Sequence, residues 1–157
     1  MAVIGMSEIH PFNDRRELDA ALASAVSERL QVAVASRGKA YLVVSGGSTP
    51  ANLFTLLART TIDWDRVVVL LADERWVADD DKDRNERLVR ETLLTQNASD
   101  AEFVSLIPVS GEHDDDIASV LARLASLPEF DVVLLGMGED AHTASLFPEA
   151  PELSLAQ

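Results

Sequence analysis

Three short segments of this 157-residue chain carry residue types that can do chemistry. The first is Gly136-Met137-Gly138-Glu139-Asp140-Ala141-His142-Thr143-Ala144-Ser145-Leu146-Phe147-Pro148. His142 is one of only three histidines, and neutral imidazole is the natural base near pH 7. Asp140, two residues earlier, can orient the ring or favour its protonated form. His10 and His113 lie in polar segments with no strand before them. A structural histidine is the competing reading of His142. The second segment is Asp73-Glu74-Arg75-Trp76-Val77. Arg75 offers a planar fork of donors suited to carboxylate or phosphate oxygens, and Asp73 and Glu74 stand ready to hold it. A structural ion pair at a strand end competes with that reading. The third is Ser45-Gly46-Gly47-Ser48-Thr49-Pro50. Two glycines let a backbone turn tightly against a ligand. Ser48 and Thr49 add hydroxyls, and the helix after them adds unpaired N–H groups, which together make a phosphate cradle. The segment lacks the lysine and spacing of a nucleoside-triphosphate loop. A tight strand-to-helix turn with an ordinary cap is its competing reading.

These segments need elements to position them, and the pattern supplies them. Residues 14–37 read as a helix, with Asn13 or Asp14 as cap, Glu17 in a capping-box position and Gly38 closing the far end. Leu18, Leu22, Ala25, Val26, Arg29 and Ala33 form its expected apolar face. A short apolar run, 40–44, precedes the glycine-rich segment. Thr49 as cap and Pro50 as first residue open a helix to about residue 59. The apolar run 67–71 reads as a strand buried on both faces. A polar loop, 73–84, leads to a helix over 85–94. Residues 103–109 read as a third strand and 114–127 as a helix with three aspartates at its positive end. Residues 132–135 read as a fourth buried strand. This alternation predicts an α/β fold, doubly wound around a mostly parallel, Rossmann-like sheet. Ligands of such sheets sit beyond the carboxyl ends of the strands. The three chemical segments all follow strands.

Composition narrows the function. With 13 Lys and Arg against 27 Asp and Glu, the net charge is −14. That excludes a phosphate-backbone binder of nucleic acid and an anionic membrane surface as partners. Residues 91–157 hold one basic side chain, Arg123, against 13 acidic ones, so cations for an anionic ligand must come from the first 90 residues. No cysteine is present, which removes disulfides, thiol nucleophiles and cysteine metal sites. No histidine spacing suggests a metal, and Ser45 does not sit in a nucleophile elbow. The longest apolar run, 67–72, is far too short to span a membrane. No signal peptide is read at the start. A cytoplasmic, single-domain protein over 1–157 is the expectation.

At these residues the chain resembles the 6-phosphogluconolactonase family, with related sugar-phosphate isomerases and deaminases of the same fold. The resemblance rests on Ser45-Gly46-Gly47-Ser48-Thr49-Pro50, Asp73-Glu74-Arg75-Trp76-Val77, Asn85 and the run from Leu134 to Pro148, in the family's order. It implies hydrolysis of 6-phospho-D-glucono-1,5-lactone to 6-phosphogluconate, without metal or organic cofactor. It makes His142 the base that activates water, with Asp140 beside it. Arg75 meets negative charge on the phosphate or the developing oxyanion. Gly46, Gly47, Ser48 and Thr49 line the phosphate end, and Asp73, Asn85 and Gly138 complete the substrate side. Two alternatives share the fold: a sugar-phosphate isomerase or deaminase, and a non-catalytic sugar-phosphate binder.

Three departures from the family carry expectations. The family has glycine where this chain has Ala141. If that position needs a positive φ, alanine costs roughly 1–2 kcal/mol; if it needs close approach to substrate, the methyl obstructs. Arg84 stands where serine is expected. Family members also continue past the histidine motif with more strands, helices and basic residues. The expectation is therefore a family fold lacking its C-terminal part, with an apolar face or strand edge exposed. Lower stability, or association of what is otherwise a monomer, and weak activity would follow.

Overall fold

A computed structural model of the chain describes residues 8–78, 81–107, 113–151 and 153, and only the backbone of 113–116. Helix α1 (Arg15–Arg37) begins where the Asp14 carboxylate accepts the Glu17 N–H at 2.8 Å. Glu17 reaches back to the Asn13 N–H, one residue beyond a reciprocal capping box. The helix ends at Gly38, whose φ of 81° permits its N–H to close on the Val34 carbonyl. Its buried stripe is Asp19, Ala23, Val26, Leu30, Ala33 and Val34. The expected face is therefore rotated: Ala25 and Arg29 are exposed, Leu18 and Leu22 half-buried. Asp19 takes a core position because Arg15 and Asn52 hydrogen-bond both of its carboxylate oxygens, which offsets the cost of burying a charge.

Strand β1 (Ala40–Val44) leads to α2 (Ala51–Leu57), β2 (Val67–Leu71), α3 (Asn85–Thr92), β3 (Glu102–Val104), α4 (His113–Ala125) and β4 (Val132–Leu134). Pro50, not Thr49, stands at the cap of α2 and supplies no side-chain cap. Strand β3 is shorter than expected; residues 108 and 109 of that stretch, and 110–112 after it, lie outside the described residues. So do Asp79 and Asp80, and the side chains of His113 and the three aspartates after it. No helix of the described residues is long and apolar enough to cross a membrane.

The sheet order is β3-β2-β1-β4, parallel throughout. The chain winds from β1 to β3 in one direction, then returns across to β4. With right-handed crossovers, that reversal puts α4 on the opposite face from α2 and α3. The two cores follow this division. On one face twenty buried residues among those described, from α1, α2, α3, the turns beside them and the sheet, pack together, among them Leu30, Leu42, Phe54, Leu57, Val69 and Leu93. On the other, among the described residues, only Val43, Val68 and Leu70 form the buried cluster, with Leu124 and Leu127 beside them. Each large aliphatic fully buried contributes about 1.5–3 kcal/mol, so the first face carries the fold.

Strand β2 is buried at all five positions, as its apolar run predicts. Strand β4 corrects the matching expectation. It pairs only with β1 among the described residues, and Val133 is 48% exposed on the thinly covered face. An apolar run records that a strand can be buried, not that both faces are covered. The reversal of winding between β1 and β4 marks the crevice where such a sheet binds ligands. Hydrogen bonds continue the ladder past the strand ends, Ser45 N–H to Leu134 O at 3.1 Å and Ala72 N–H to Val44 O at 2.8 Å. Loops 45–49, 73–84 and 136–148 thus emerge side by side.

Candidate active site

The loop after β2 is pinned to the start of α3. The Glu74 carboxylate accepts the N–H groups of Asn85 (2.8 Å) and Glu86 (2.7 Å), and also that of Arg75 (2.7 Å). It caps α3 from eleven residues away; Arg84, at the cap position, makes no side-chain cap. The expectation that Asp73 and Glu74 hold the Arg75 guanidinium is corrected here. Arg75 Nη1 donates instead to Asn85 Oδ1 and to the Asp83 carbonyl, both at 2.8 Å. Asn85 Nδ2 donates to the Asp73 carbonyl at 3.0 Å, and the Asp73 carboxylate accepts from Ser145 Oγ at 3.0 Å. Loops 73–84 and 136–148 are therefore directly bonded.

Gly46 has a reason the sequence hides. A Cβ there would lie 1.8 Å from Asn85 Oδ1, so glycine vacates the space that the Arg75-holding amide fills. Gly47, with φ of 85° and open space around it, is the position where the turn itself requires glycine. Ser48 and Thr49 are exposed, and the Thr49 carbonyl accepts Arg15 Nη2 at 2.6 Å.

Arg84 is buried at the start of α3. It is 6% exposed and pairs with Glu86 at 3.0 Å. Burial alone would raise the Glu86 pKa, but hydrogen bonds from Ser105, Arg90 and Arg84 outweigh it and hold the carboxyl below its ordinary 4.5. This cluster locks α3, and with it Asn85.

Apart from the Ser145–Asp73 bond, the loop after β4 is held by bonds within itself. The Gly138 N–H donates to the His142 carbonyl, the Ala141 N–H to the Gly138 carbonyl, and Thr143 Oγ1 to the Gly136 carbonyl, each at 2.9 Å. Ala141 has a φ of 67° and Ala144 of 49°. Of the two readings of Ala141, the conformational one holds: the backbone is left-handed there. The imidazole of His142 lies over Gly138, where a Cβ would come within 2.2 Å of the ring. It stacks on Phe147 with centroids 4.7 Å apart. Its Nδ1 is 2.5 Å from Asp140 Oδ1. That hydrogen bond, first among several causes, lowers the Asp140 pKa. An ionised carboxylate only accepts, so Nδ1 carries the hydrogen and Nε2 of the neutral ring keeps its lone pair. The His142 side chain is 35% exposed, open enough for water to reach it.

The sequence-derived candidates thus fall into two bonded groups at one end of the sheet: Arg75 with Asn85 against Gly46, and His142 with Asp140 over Gly138. Ser145 and Arg15 were missed as contacts of these loops, and Glu74 was read as a holder of the Arg75 guanidinium, not as the cap of α3. Ser145 stands inside the histidine motif, which was the available signal. The capping role of Glu74 and the contact of Arg15 carry none, because their partners lie 11 and 34 residues away. No cluster of His, Asp or Glu among the described residues forms a metal-ligand set.

Comparison with known proteins agrees with this architecture. The family described as glucosamine-6-phosphate isomerases/6-phosphogluconolactonase matches residues 13–157. A 6-phosphogluconolactonase of Mesorhizobium japonicum is 47% identical over 91% of this chain and 60% of its own length. One of Pseudomonas putida is 43% identical over 93% of this chain and 60% of its own. The crystal structure of a 6-phosphogluconolactonase from Shewanella baltica superposes with a TM-score of 0.87 at 49% identity, over 92% of this chain and 63% of the other. The chain spans about 60% of the length of the curated relatives it matches. On the fold, the loop motifs and these matches, the chain belongs to the glucosamine-6-phosphate isomerase/6-phosphogluconolactonase family.

Proposed function

We propose that this chain, as one α/β domain in the cytoplasm, hydrolyses 6-phospho-D-glucono-1,5-lactone to 6-phosphogluconate. The observation that carries the reading is the His142–Asp140 pair at the mouth of the β1/β4 crevice, in a family whose similar members are 6-phosphogluconolactonases. His142 Nε2 takes a proton from water as the oxygen adds to the lactone carbonyl. Asp140 keeps the ring in the tautomer that can do so and stabilises the imidazolium that forms. The tetrahedral oxyanion then collapses, the ring C–O bond breaks, and the departing oxygen takes the proton back from His142. Arg75 meets negative charge on the phosphate or the oxyanion. Gly46, Gly47, Ser48 and Thr49 line the phosphate end, with Asp73, Asn85 and Gly138 framing the substrate. Water is the only co-reactant the step needs, so no cofactor is called for.

The test follows loss of freshly made lactone above its spontaneous hydrolysis. The expected outcome is an excess rate with 6-phosphogluconate as product. Lactone decay at the background rate, or release of ammonia from an amino-sugar phosphate instead, would overturn the reading.

A further inference from the structure

One guanidinium at the strand-end loops has no part in the hydrolysis outlined above. The two residues between α1 and β1 fold the helix back along the strand, which brings the first turn of α1 to the ligand end of the sheet. Arg15 sits there. Its Nε donates to Asp19 Oδ1 at 2.7 Å and its Nη2 to the Thr49 carbonyl at 2.6 Å. Asp19 is 1% exposed, and its other oxygen accepts from Asn52 Nδ2 at 2.8 Å. A buried carboxylate bonded on both oxygens is a rigid anchor, so the plane of the guanidinium is set from inside the fold.

A guanidinium has five N–H donors. Two are used here, and the other three meet no acceptor among the described residues, on a side chain 49% exposed. Arg75 is arranged alike: Nη1 spends both hydrogens on Asn85 and Asp83, and Nε and Nη2 meet no acceptor among the described residues. Asn85 fills the space over Gly46. Arg75 is therefore tied to the beginning of the glycine-rich turn and Arg15 to its end. Free, anchored forks of this kind suit a phosphate monoester.

We propose that Arg15 contacts the phosphate of the sugar at the Thr49 end of the turn, with Asp19 fixing its orientation. The inference rests on the sugar-phosphate substrate proposed above and adds a residue to its phosphate end.

The test titrates 6-phosphogluconate into the full chain by calorimetry, alongside Arg15→Ala and Arg15→Lys. Lysine keeps a charge beside Asp19 and gives up the fork, so it serves where alanine fails to fold. Partial unfolding lowers the stoichiometry, whereas a lost contact lowers the affinity. The expected result is binding by the unaltered chain and roughly tenfold or greater weakening in Arg15→Lys. Equal affinity in Arg15→Lys would overturn the inference and leave the substrate reading standing. No binding of 6-phosphogluconate by the unaltered chain would overturn both.

Discussion

The loops after β2 and β4 each present a polar side chain at the same end of the sheet, yet they are held in opposite ways. The loop of Arg75 is anchored from outside itself. Glu74 caps α3, Asn85 leaves α3 to grip the guanidinium, and the buried Glu86 cluster fixes that helix. The loop of His142 is anchored mostly within itself. Its bonds run between residues 136 and 146, two alanines take left-handed backbone, and Ser145 to Asp73 is its side-chain tie to the neighbouring loop. The guanidinium of Arg75 is set by the fold; the imidazole of His142 is set by a small strained turn. The imidazole should therefore respond most to changes beside it, and the guanidinium to changes in α3.

The sharpest break in that contrast is Gly138→Ala. Its new Cβ falls on the imidazole, and a shift of about an ångström in a reacting group costs on the order of a hundredfold in rate. The lactone assay should show that fall while thermal melting changes little. Asn85→Ala attacks the other loop. It frees Arg75 and removes the bond to the Asp73 carbonyl, so KM for the lactone should rise roughly tenfold and the melting temperature should drop. Ala141→Gly relaxes the strained turn. It should gain about 1 kcal/mol, or about 2–4 °C in melting temperature, with a rate equal to or above that of the unaltered chain.

The smallest effect lies in the acid range. Glu86 has a lowered pKa in the fold, so its stabilising contribution is full above about 4.5 and fades as the pH falls through the lower folded value. Glu86→Gln should melt earlier than the unaltered chain at pH 7, and the two should converge as the pH drops below 4.5. A gap that stays constant into acid would mean that the charge of Glu86 is not what locks α3.

The same contrast explains what the sequence made legible. The strand–helix alternation and the three post-strand loops could be read because they rest on local periodicity and on glycines at strand ends. The buried run of β2 was legible for that reason too. The exposure of Val133 in β4 was not, since Val132, Val133 and Leu134 are as apolar as the residues of β2 and differ only in what covers them among the described residues. Asp19 in the core could not be foreseen, because its partner Asn52 is 33 residues away. Gly46 was read as a glycine that lets the backbone turn against a ligand; what fills its space is the Asn85 amide, which arrives from another element. The pairing of Asp140 with His142 was legible because two residues separate them; the grip of Asn85 on Arg75, across a long loop, was not.

The proposed hydrolysis turns on His142 as the base, and the direct measurement compares the unaltered chain with His142→Ala on one preparation of fresh lactone, each corrected for spontaneous hydrolysis. The excess rate should vanish in the variant while its melting curve stays close to that of the unaltered chain. A folded His142→Ala that still hydrolyses the lactone at the unaltered rate would contradict it.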